Sequence, residues 1–505
     1  MTSSSNSNSL SEARLAEAPW FALLSDALKK SLQNIPNSNN YFVAFSGGMD
    51  SSLLLVLASR YLSECRQASV VAIHVHHGIS DHADLWQSHC EKVCGRLGVE
   101  LIVRQVSLVS KKKGVEEAAR AARYSVFEQI LPSDAVLLQG HHQNDQAETV
   151  LLRLMRGAGV KGIAGIPKTR ALNSTQINRP FLDVPRSELL RAAKALELEW
   201  VEDDSNTSYD YDRNFIRHEI IPKLEGRWER AVNRLAVSAD HCSESAELEE
   251  ALANIDLDGI TQNLYGSALS IAGLIQLPLS RQRNAVRYWL QHQGVGFPGE
   301  KRFQRIWTEL LVARDDASPL IEWSLGAVRR YRNSIFLLSL NDLNARSDFR
   351  SSNISICSGS QLPGAGRSVA KGEGVLFEQQ IMDRPYSLRI IDSLVNGVES
   401  GSVESEACLN KLLIKLPSSN EQIAVKFRQG GEVFKPVGKA HHRPLKKWFH
   451  DCNVPPWLRD SVPLLYYNEC LVAIGDLLVS DGFQGESGSA NLEISWGQKL
   501  NHNQL

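Results

Sequence analysis

The sequence predicts an α/β fold built on a doubly wound parallel sheet, followed by a helical middle domain and a mixed α+β C-terminal domain. Short apolar segments alternate with segments of helical period from Phe42 to Met155, which is typical of strands joined by crossover helices. A glycine- and serine-rich turn follows the first of these strands. The 505 residues are enough for about three domains of ordinary size.

Each element of the first domain is predicted from its own pattern. Four short apolar segments are interpreted as strands, at residues 42–45, 68–76, 99–106 and 135–140. Four segments with apolar residues at helical spacing are interpreted as helices, at residues 52–62, 85–97, 115–130 and 145–155. Helix-rich sequence continues to about residue 237, so this catalytic domain is expected to cover residues 21–237, after a disordered tail at residues 1–20.

The rest of the chain is less regular. Helical segments at 280–294 and 303–311, with the strand-like SIFLLSL after Arg332, predict a middle domain over residues 238–340. Residues 341–408 begin with a stretch rich in Ser, Gly, Asn and Arg, and they are expected to form a linker or an irregular β segment. Strand-like pieces such as IAVKF and CLVAIG predict a C-terminal domain over residues 409–505.

Composition excludes several classes of protein. Lys and Arg number 55 against 57 Asp and Glu, so the net charge of −2 excludes a generally basic, histone-like protein but allows a local basic patch. Eight cysteines are scattered without a C-x-x-C motif, so a disulfide scaffold is not expected. Since the sequence has neither a run of about 18 apolar residues nor a signal-peptide core, we expect a cytoplasmic protein that has no membrane partner.

The predicted chemistry begins with the loop Ser46-Gly47-Gly48-Met49-Asp50-Ser51-Ser52. The two glycines let backbone N–H groups approach an anion closely, and the following helix adds free N–H groups at its start. Asp50 is consistent with a phosphate site if Mg²⁺ bridges its carboxylate to phosphate oxygens. The loop has neither the G-x-x-x-x-G-K-[ST] nor the G-x-G-x-x-G pattern. The alternative is an ordinary glycine turn whose serines cap the helix.

Polar residues are also concentrated where other predicted strands end. The second strand ends in HVHHG (74–78), and GHHQNDQAET (140–149) follows the fourth. Because the carboxyl ends of parallel strands share one edge of a sheet, both segments are expected near the glycine loop. Zinc is the alternative to Mg²⁺ for His141, His142 and Asp145, but a carboxylate beside a phosphate loop favours Mg²⁺.

Two further segments combine acidic and basic residues. GVEEAARAARY (114–124) carries Arg120 and Arg123 on one helix face, where they could clamp phosphates; a salt-bridged surface helix is the alternative. EDDSN (202–206) precedes YDRNFIR (211–217), and together they could hold an amine and a phosphate; a plain N-capping turn is the alternative.

The order of strand, S-G-G-x-D-S and helix resembles the PP-loop of the N-type ATP pyrophosphatases, a Rossmann-like family that cleaves ATP to AMP and pyrophosphate while adenylating an acceptor. The complete set of segments closely resembles the tRNA(Ile)-lysidine synthases. The matching segments are SGGMDSS, HVHHG, GVEEAARAARY, HHQNDQAETVLLRLMRG, RPFLDVPRSEL and EDDSN…RNFIR in the first domain, LSRQRNAVRYWL in the middle domain, and residues 425–466 in the C-terminal domain. Residues 341–408 carry no motif of this family.

The resemblance implies an ATP-dependent ligase that modifies tRNA. Its partners would be free L-lysine and the isoleucine tRNA with anticodon CAU. The wobble cytidine would be adenylated and then joined at carbon 2 to lysine, giving lysidine and changing the specificity from methionine to isoleucine. A tRNA thiolase of the same class is the alternative, although thiolases usually use paired cysteines or an iron–sulfur cluster. An amidating synthetase and a non-catalytic RNA-binding protein are further alternatives, and a homodimer stays open.

The resemblance also implies roles for individual residues. Asp50, Asp145 and Arg123 would be catalytic, with Asp50 and Asp145 holding Mg²⁺ or orienting the reacting groups. The alternative for Asp145 is to accept a proton from the ε-amine of lysine. ATP would contact Ser46, Gly47, Gly48, Met49, Asp50, Ser51, Ser52, His76 and His141. The lysine-binding candidates are Glu116, Glu117, Asp203 and Asp204, which the sequence does not rank.

Two basic regions are candidates for tRNA binding. Between Lys426 and Arg459, eight basic residues stand against two acidic ones, and Trp448, Phe449 and Trp457 are expected to stack on bases. A second set of arginines lies at 281–287 and 329–332. A solvated basic face is the alternative for either region. The candidates with an expected tRNA contact are Arg217, Arg283, Arg287, Arg443, Lys446 and Lys447.

Overall fold

The computed structural model describes residues 19–33, 35, 40–78, 82–106, 115–202, 209, 212–262, 267–314, 317–340, 343, 354–358, 374–381, 384–391, 412–486 and 489–496. The chain divides into two compact units between Leu248 and Glu249. Of the predicted tail at residues 1–20, residues 1–18 lie outside the described residues, whereas residues 19 and 20 belong to a helix that begins at Pro19.

The first unit contains a six-stranded sheet in the order β3-β2-β1-β4-β6-β5. Its strands are β1 (Tyr41–Ala44), β2 (Val70–His76), β3 (Glu100–Gln105), β4 (Val136–Leu138), β5 (Thr169–Leu172) and β6 (Thr175–Asn178). The first four strands and β6 pair in parallel, which confirms the predicted parallel sheet. The antiparallel hairpin β5–β6 corrects the prediction that helix-rich sequence fills this region. Asn173 lies in the left-handed region at φ 52°, as a tight turn between strands requires.

Helices cover both faces of this sheet. On β1, Tyr41 and Val43 pack in one apolar cluster with Leu53 of the helix Met49–Arg66, whereas Phe42 packs in another with Phe127 of the helix Val115–Ile130. This alternation is the period-two pattern of a strand buried on both sides. A π-helical turn lies at Ile216–Ile220, and the helix Ala231–Asp258 begins in this unit and ends in the second. The other helices of this unit are Pro19–Gln33, Ala83–Leu97, Gln143–Met155, Val160–Ile163, Arg186–Ala195, Asp212–Phe215 and Ile221–Arg227. None of the described helices is long and apolar enough to cross a membrane.

The second unit contains β-sheets beside its helices. The predicted middle region has the helices Ile271–Gln276, Leu279–His292 and Glu300–Arg305, followed by the π-helical turn Ile306–Leu310. It also has an antiparallel sheet in the order β7-β8-β11-β10-β9, with strands Thr261–Gln262, Ala268–Ser270, Ser334–Ser339, Gly326–Tyr331 and Leu320–Trp323. One apolar cluster holds Ala327 and Phe336 from this sheet together with C-terminal residues such as Trp457, so the two regions share a core.

The C-terminal region consists mainly of two antiparallel sheets and the helix Leu445–Asp451. One sheet has the order β12-β16-β19-β20-β21, with strands Ile354–Ser358, Gln422–Lys426, Leu464–Tyr467, Cys470–Ile474 and Leu478–Val479. The other has the order β13-β14-β22-β15, with strands Gly374–Ile381, Arg384–Ile391, Asn491–Trp496 and Leu412–Lys415. A short ribbon pairs Val433–Phe434 with Arg443–Pro444. The described strands β12, β13 and β14, from the expected linker, therefore pair into C-terminal sheets.

Candidate active site

The glycine loop between β1 and the helix Met49–Arg66 has a conformation that requires glycine. Gly47 lies at φ 84°, and a Cβ atom there would stand 3.0 Å from Cys90 Sγ and 3.1 Å from Val201 Cγ2. Gly48 is the N-cap residue of the helix, and no side chain accepts a hydrogen bond from the first turn as a cap. Serine hydroxyls do bond backbone N–H groups of the turn, as that alternative expects: Gly48 donates its N–H to Ser46 Oγ at 3.4 Å, and Ser46 donates its N–H to Ser51 Oγ at 3.3 Å. The free N–H groups in the first turn of the helix are suited to an anion.

The backbone of the glycine loop also packs closely against Gly140, which follows β4. A Cβ atom on Gly140 would stand 3.1 Å from the carbonyl carbon and oxygen of Asp50. Any larger residue at 140 would push the helix start away from the neighbouring strand. The serine hydroxyls meanwhile bond within the loop, with 3.1 Å between Ser46 Oγ and Ser51 Oγ and 3.4 Å from Ser52 Oγ to the Gly47 carbonyl oxygen.

Asp50 is a carboxylate with one oxygen left unsatisfied. Its Oδ2 lies 3.6 Å from His142 Nε2, whereas its buried Oδ1 has no hydrogen-bond partner. Burial raises the pKa of Asp50, and the nearby His142 opposes this shift. A buried carboxylate oxygen without a donor is costly unless a cation approaches it. Asp50 on an anion-binding loop therefore fits a hard cation such as Mg²⁺, which uses one or two carboxylates together with phosphate oxygens.

The same side chain, His142, links Asp50 to Asp145. His142 is the N-cap of the helix Gln143–Met155: Asp145 donates its N–H to His142 Nδ1 at 3.3 Å, and His142 donates its N–H to Asp145 Oδ2 at 3.0 Å. This reciprocal pair is a capping box, and it holds the imidazole between the two carboxylates. Among the described residues, no group of three His, Cys, Asp or Glu side chains is arranged to hold a metal, so the zinc alternative gains no support.

Asp145 belongs to an ion-pair network that sequence reasoning did not identify in full. Arg213 donates from Nη2 to Asp145 Oδ1 at 2.8 Å and from Nε to Glu148 Oε2 at 2.7 Å. Arg217 donates from Nε and Nη2 to the two oxygens of Glu148 at 2.7 and 3.0 Å. Glu148 is only 1% exposed and was absent from the predicted site. The spacing in the sequence could have indicated this network. Asp145 and Glu148 lie one helical turn apart, and so do Arg213 and Arg217.

The helix that carries these arginines is interrupted by the π-helical turn Ile216–Ile220, where Ile221 donates its N–H to the Ile216 carbonyl oxygen. Pro222 follows, and it lacks an N–H and would crowd the carbonyl of His218 in a regular helix. The wider turn accommodates this proline. It therefore lets the chain continue as a helix while both guanidiniums reach the same pair of carboxylates.

These charges set the protonation state of Asp145. Burial would raise the pKa of Asp145, but His142, Arg213 and His141 hold it well below its usual value. For Arg217, burial would lower the pKa, but the Glu148 carboxylate raises it above its usual value. Asp145 is therefore an anion at neutral pH, which makes it better suited to orienting a cation or a donor than to accepting a proton.

The histidines at the ends of β2 and β4, and Arg123 on the helix Val115–Ile130, differ in their partners. Arg123 Nη2 lies 3.4 Å from His77 Nε2, while His76 Nε2 lies 3.0 Å from Asp84 Oδ1. Burial, followed by Arg123, lowers the pKa of His77 to about 4. Burial lowers the pKa of His141 to about 3, and its Nδ1 is buried without a partner. His77 and His141 are therefore neutral at pH 7, so they can act as hydrogen-bonding groups for a ligand without adding charge.

The four predicted lysine-binding side chains lie outside the described part of the chain. Glu116 and Glu117 fall in the helix Val115–Ile130, but their side chains lie outside the described part of the chain. Asp203 and Asp204 also lie outside the described residues. The lysine-binding role of these four side chains stays a prediction.

The predicted tRNA-binding residues of the second unit differ in their surroundings. Arg283 donates to Gln304 Oε1 at 3.1 Å, and the Arg287 guanidinium stands 4.9 Å from the centroid of the Phe303 ring. Arg443 pairs with Asp451 at 2.9 Å, whereas Lys446 and Lys447 are exposed. The predicted stacking of Trp448, Phe449 and Trp457 on bases is wrong, because all three side chains are buried in the apolar core.

Comparisons with known proteins agree over most of the chain. Three family models match: the PP-loop domain at residues 23–224, the TilS substrate binding domain at 269–336 and the TilS substrate C-terminal domain at 423–496. The tRNA(Ile)-lysidine synthase of Coxiella burnetii is 33% identical over 93% of this chain and 96% of its own length. That of Legionella pneumophila (strain Lens) is 36% identical over 87% of this chain and 92% of its own. A solved U34-tRNA thiolase from Methanococcus maripaludis is 17% identical, with a TM-score of 0.39 over 45% of this chain and 79% of that chain.

Proposed function

The chain belongs to the tRNA(Ile)-lysidine synthase family, and from this premise we propose that it joins L-lysine to carbon 2 of the wobble cytidine in the isoleucine tRNA with anticodon CAU. It is an ATP-dependent ligase with a PP-loop domain. The two TilS family models favour this activity over the tRNA thiolase alternative. ATP, tRNA and free lysine as substrates support a cytoplasmic location, and a homodimer stays a prediction for sedimentation analysis to test.

The observation that carries the proposal is the unsatisfied Asp50 oxygen on the loop that presents helix N–H groups. In the first step, the oxygen on carbon 2 of cytidine attacks the α-phosphorus of ATP, and pyrophosphate leaves. The negative charge of pyrophosphate would be received by the backbone N–H groups of residues 46–52. Asp50 would hold Mg²⁺, which neutralises phosphate charge when it is bound. Arg123, on the adjacent helix, would contact the α-phosphate.

In the second step, the ε-amine of lysine attacks carbon 2 and forms a carbon–nitrogen bond, while the bond between carbon 2 and oxygen breaks and AMP leaves with that oxygen. The amine must be neutral to attack, although its pKa in water is about 10.4. Asp145 is held ionised by Arg213, so its proposed role is to orient the reacting groups. Glu148, Arg213 and Arg217 would act as positioning residues that fix the Asp145 carboxylate in one orientation.

The test is incubation of the full chain with the CAU-anticodon isoleucine tRNA, ATP, Mg²⁺ and labelled L-lysine. We expect lysine-dependent label in the tRNA and the mass of lysidine at the wobble position. Asp50→Ala should reduce the label at least about 100-fold, as expected for loss of an electrostatic group at the reacting phosphate. The matched control Asp26→Ala removes an exposed carboxylate of the same chain and should leave the label unchanged.

Other outcomes distinguish the alternatives. ATP cleavage without lysine incorporation would refute the proposed ligation and direct the search to sulfur donors. An unchanged rate in Asp50→Ala would remove Asp50 from the catalytic machinery while leaving the overall reaction in place.

A further inference from the structure

Three arginines surround the phenol of Tyr124, and neither the family resemblance nor the proposed mechanism assigns them a joint role. The guanidiniums of Arg120 and Arg170 stand 5.0 and 5.3 Å from the centroid of the Tyr124 ring. Arg120 and Arg179 each donate from Nη2 to the Tyr124 hydroxyl, at 3.3 and 3.4 Å. We name Arg120, Arg170 and Arg179 the Tyr124 arginine cluster.

The cluster lies beside the glycine loop. Tyr124 donates its hydroxyl to Gln139 Oε1 at 3.4 Å, and Gln139 directly precedes Gly140, which packs on the Asp50 backbone. Arg179 directly follows β6, the parallel neighbour of β4, so it lies at the same carboxyl edge. Arg170 lies on the edge strand β5, which is three strand spacings, or about 14 Å, from β1.

The positive charge of the cluster is not balanced by carboxylates. Within the described ranges, none of the three arginines forms an ion pair with an acidic side chain. Arg179 is only 3% exposed, and although its Nη1 donates to the Pro167 carbonyl oxygen at 2.7 Å, its buried Nε has no partner. Burial would raise the pKa of the Tyr124 phenol, but Arg120 and Arg179 lower it below its usual value. The cluster therefore stabilises negative charge, and an arginine that is buried without an anion is costly to the fold.

We propose that the Tyr124 arginine cluster binds a backbone phosphodiester of the tRNA strand beside the nucleotide being modified. The inference rests on the proposed function. A planar guanidinium can donate two parallel hydrogen bonds to a pair of phosphate oxygens. Arg170 is exposed, so a ligand can reach it from solvent. The glycine loop offers N–H groups suited to the phosphates of ATP, whereas a polynucleotide extends beyond the reacting nucleotide, over a distance that Arg170 on the edge strand can reach.

The same phosphate chemistry would accept ATP, so the experiment measures both ligands. The variant is Arg170→Gln, which leaves the buried contacts of Arg179 in place. The matched control is Arg104→Gln, which removes an exposed arginine from β3, the opposite edge strand of the same sheet. Binding of the CAU-anticodon isoleucine tRNA is measured at several salt concentrations, and binding of ATP is measured without RNA.

We expect Arg170→Gln to weaken tRNA binding and to reduce the slope of log K against log salt concentration by about 0.7, the value for one phosphate contact in a single strand. ATP affinity should be unchanged, and Arg170→Lys should restore most of the slope. A loss of ATP affinity with an unchanged tRNA slope would assign the cluster to the nucleotide and overturn the proposal. Equal behaviour of Arg170→Gln and Arg104→Gln would also overturn it.

The wild-type preparation is assayed for lysine incorporation in parallel, which separates the two hypotheses. Absence of incorporation would refute the proposed ligation, while the tRNA slopes of the two variants would still report on the phosphate contact. Arg179→Lys keeps the buried charge but removes the forked geometry, and we expect it to weaken tRNA binding without changing ATP affinity. An Arg179→Lys variant that is folded and binds tRNA like wild type would contradict the proposed geometry.

Discussion

Two groups of arginines lie at one edge of the same sheet, and they differ in what neutralises them. Arg213 and Arg217 are matched by two carboxylates, Asp145 and Glu148, in a network with contacts as short as 2.7 Å. The three arginines around Tyr124 are matched by none among the described residues. Arginine therefore serves two purposes at this edge of the sheet. A neutralised guanidinium orients a carboxylate, whereas one without a counter-charge attracts an external anion.

The C-terminal region shows the same division. Arg443 pairs with Asp451 and Lys435 pairs with Asp481, so these cations are partly neutralised within the fold. The adjacent Lys446 and Lys447 are exposed on the helix Leu445–Asp451. A count of basic residues in sequence therefore overstates the surface that is available to RNA.

The largest expected effect comes from breaking the neutralised network. Glu148→Ala removes the carboxylate that pairs with both Arg213 and Arg217 and leaves the two guanidiniums with Asp145 alone in a partly buried site. We expect the free energy of unfolding to fall by about 3–5 kcal/mol, as is typical when one partner of a buried pair is lost. Denaturant-induced unfolding measures this change.

Glu128→Ala is the matched control, because it removes an exposed glutamate from a helix of the same unit. It should change the free energy of unfolding by less than about 0.5 kcal/mol. Equal stabilities of the Glu148 and Glu128 variants would show that the network does not stabilise the fold, and the contrast between the two arginine groups would lose its physical basis.

A smaller effect is expected at the exposed lysines. Replacing both Lys446 and Lys447 by Gln should weaken tRNA binding and reduce its salt slope by about 1.4, if each lysine contacts one phosphate in a single strand. Lys29 and Lys30 form a second exposed pair of neighbouring lysines, and their replacement by Gln is the control. Identical slopes for the two double variants would remove Lys446 and Lys447 from the RNA interface.

The smallest expected effect is a shift in the ionisation of Tyr124. Its pKa is lowered in the folded protein, relative to a reference of about 10, so the ionised phenol stabilises the fold above pH 10, and this contribution is lost as the pH falls through the folded pKa. Titration of phenolate absorbance should show a group ionising below pH 10 that is missing in Tyr124→Phe. In Arg120→Gln, which removes a guanidinium that lowers this pKa, the same group should ionise at higher pH. An absorbance curve that is identical in wild type and Tyr124→Phe below pH 10 would contradict an excess of positive charge at this phenol.

Much of the fold and of the loop could be predicted because local patterns carry the information. The alternation at Phe42 and Val43 reflects burial on both faces of β1, and the glycine pair reflects a conformation that Gly47 needs at φ 84°. The hairpin at 169–178 was missed because two four-residue strands give too short a periodic signal. The stacking of Trp448 on RNA was a wrong prediction, because the sequence does not reveal whether an aromatic side chain faces the core or the solvent.

The sequence alone determined the parallel sheet, the glycine loop that carries Asp50, and the family resemblance that the comparisons confirm. These features depend on residues that are close along the chain, where spacing reflects hydrogen bonding and burial directly. Only the tertiary structure decided that Glu148 meets Arg213 and Arg217, and that Arg120, Arg170 and Arg179 meet at Tyr124. Arg120 and Tyr124 are one turn apart on a helix, but the other contacts join residues tens of positions apart and depend on which strand ends become neighbours when the sheet forms. The charge balance of a site, which separates an arginine that orients a carboxylate from one that binds a phosphate, is therefore a property of the folded chain.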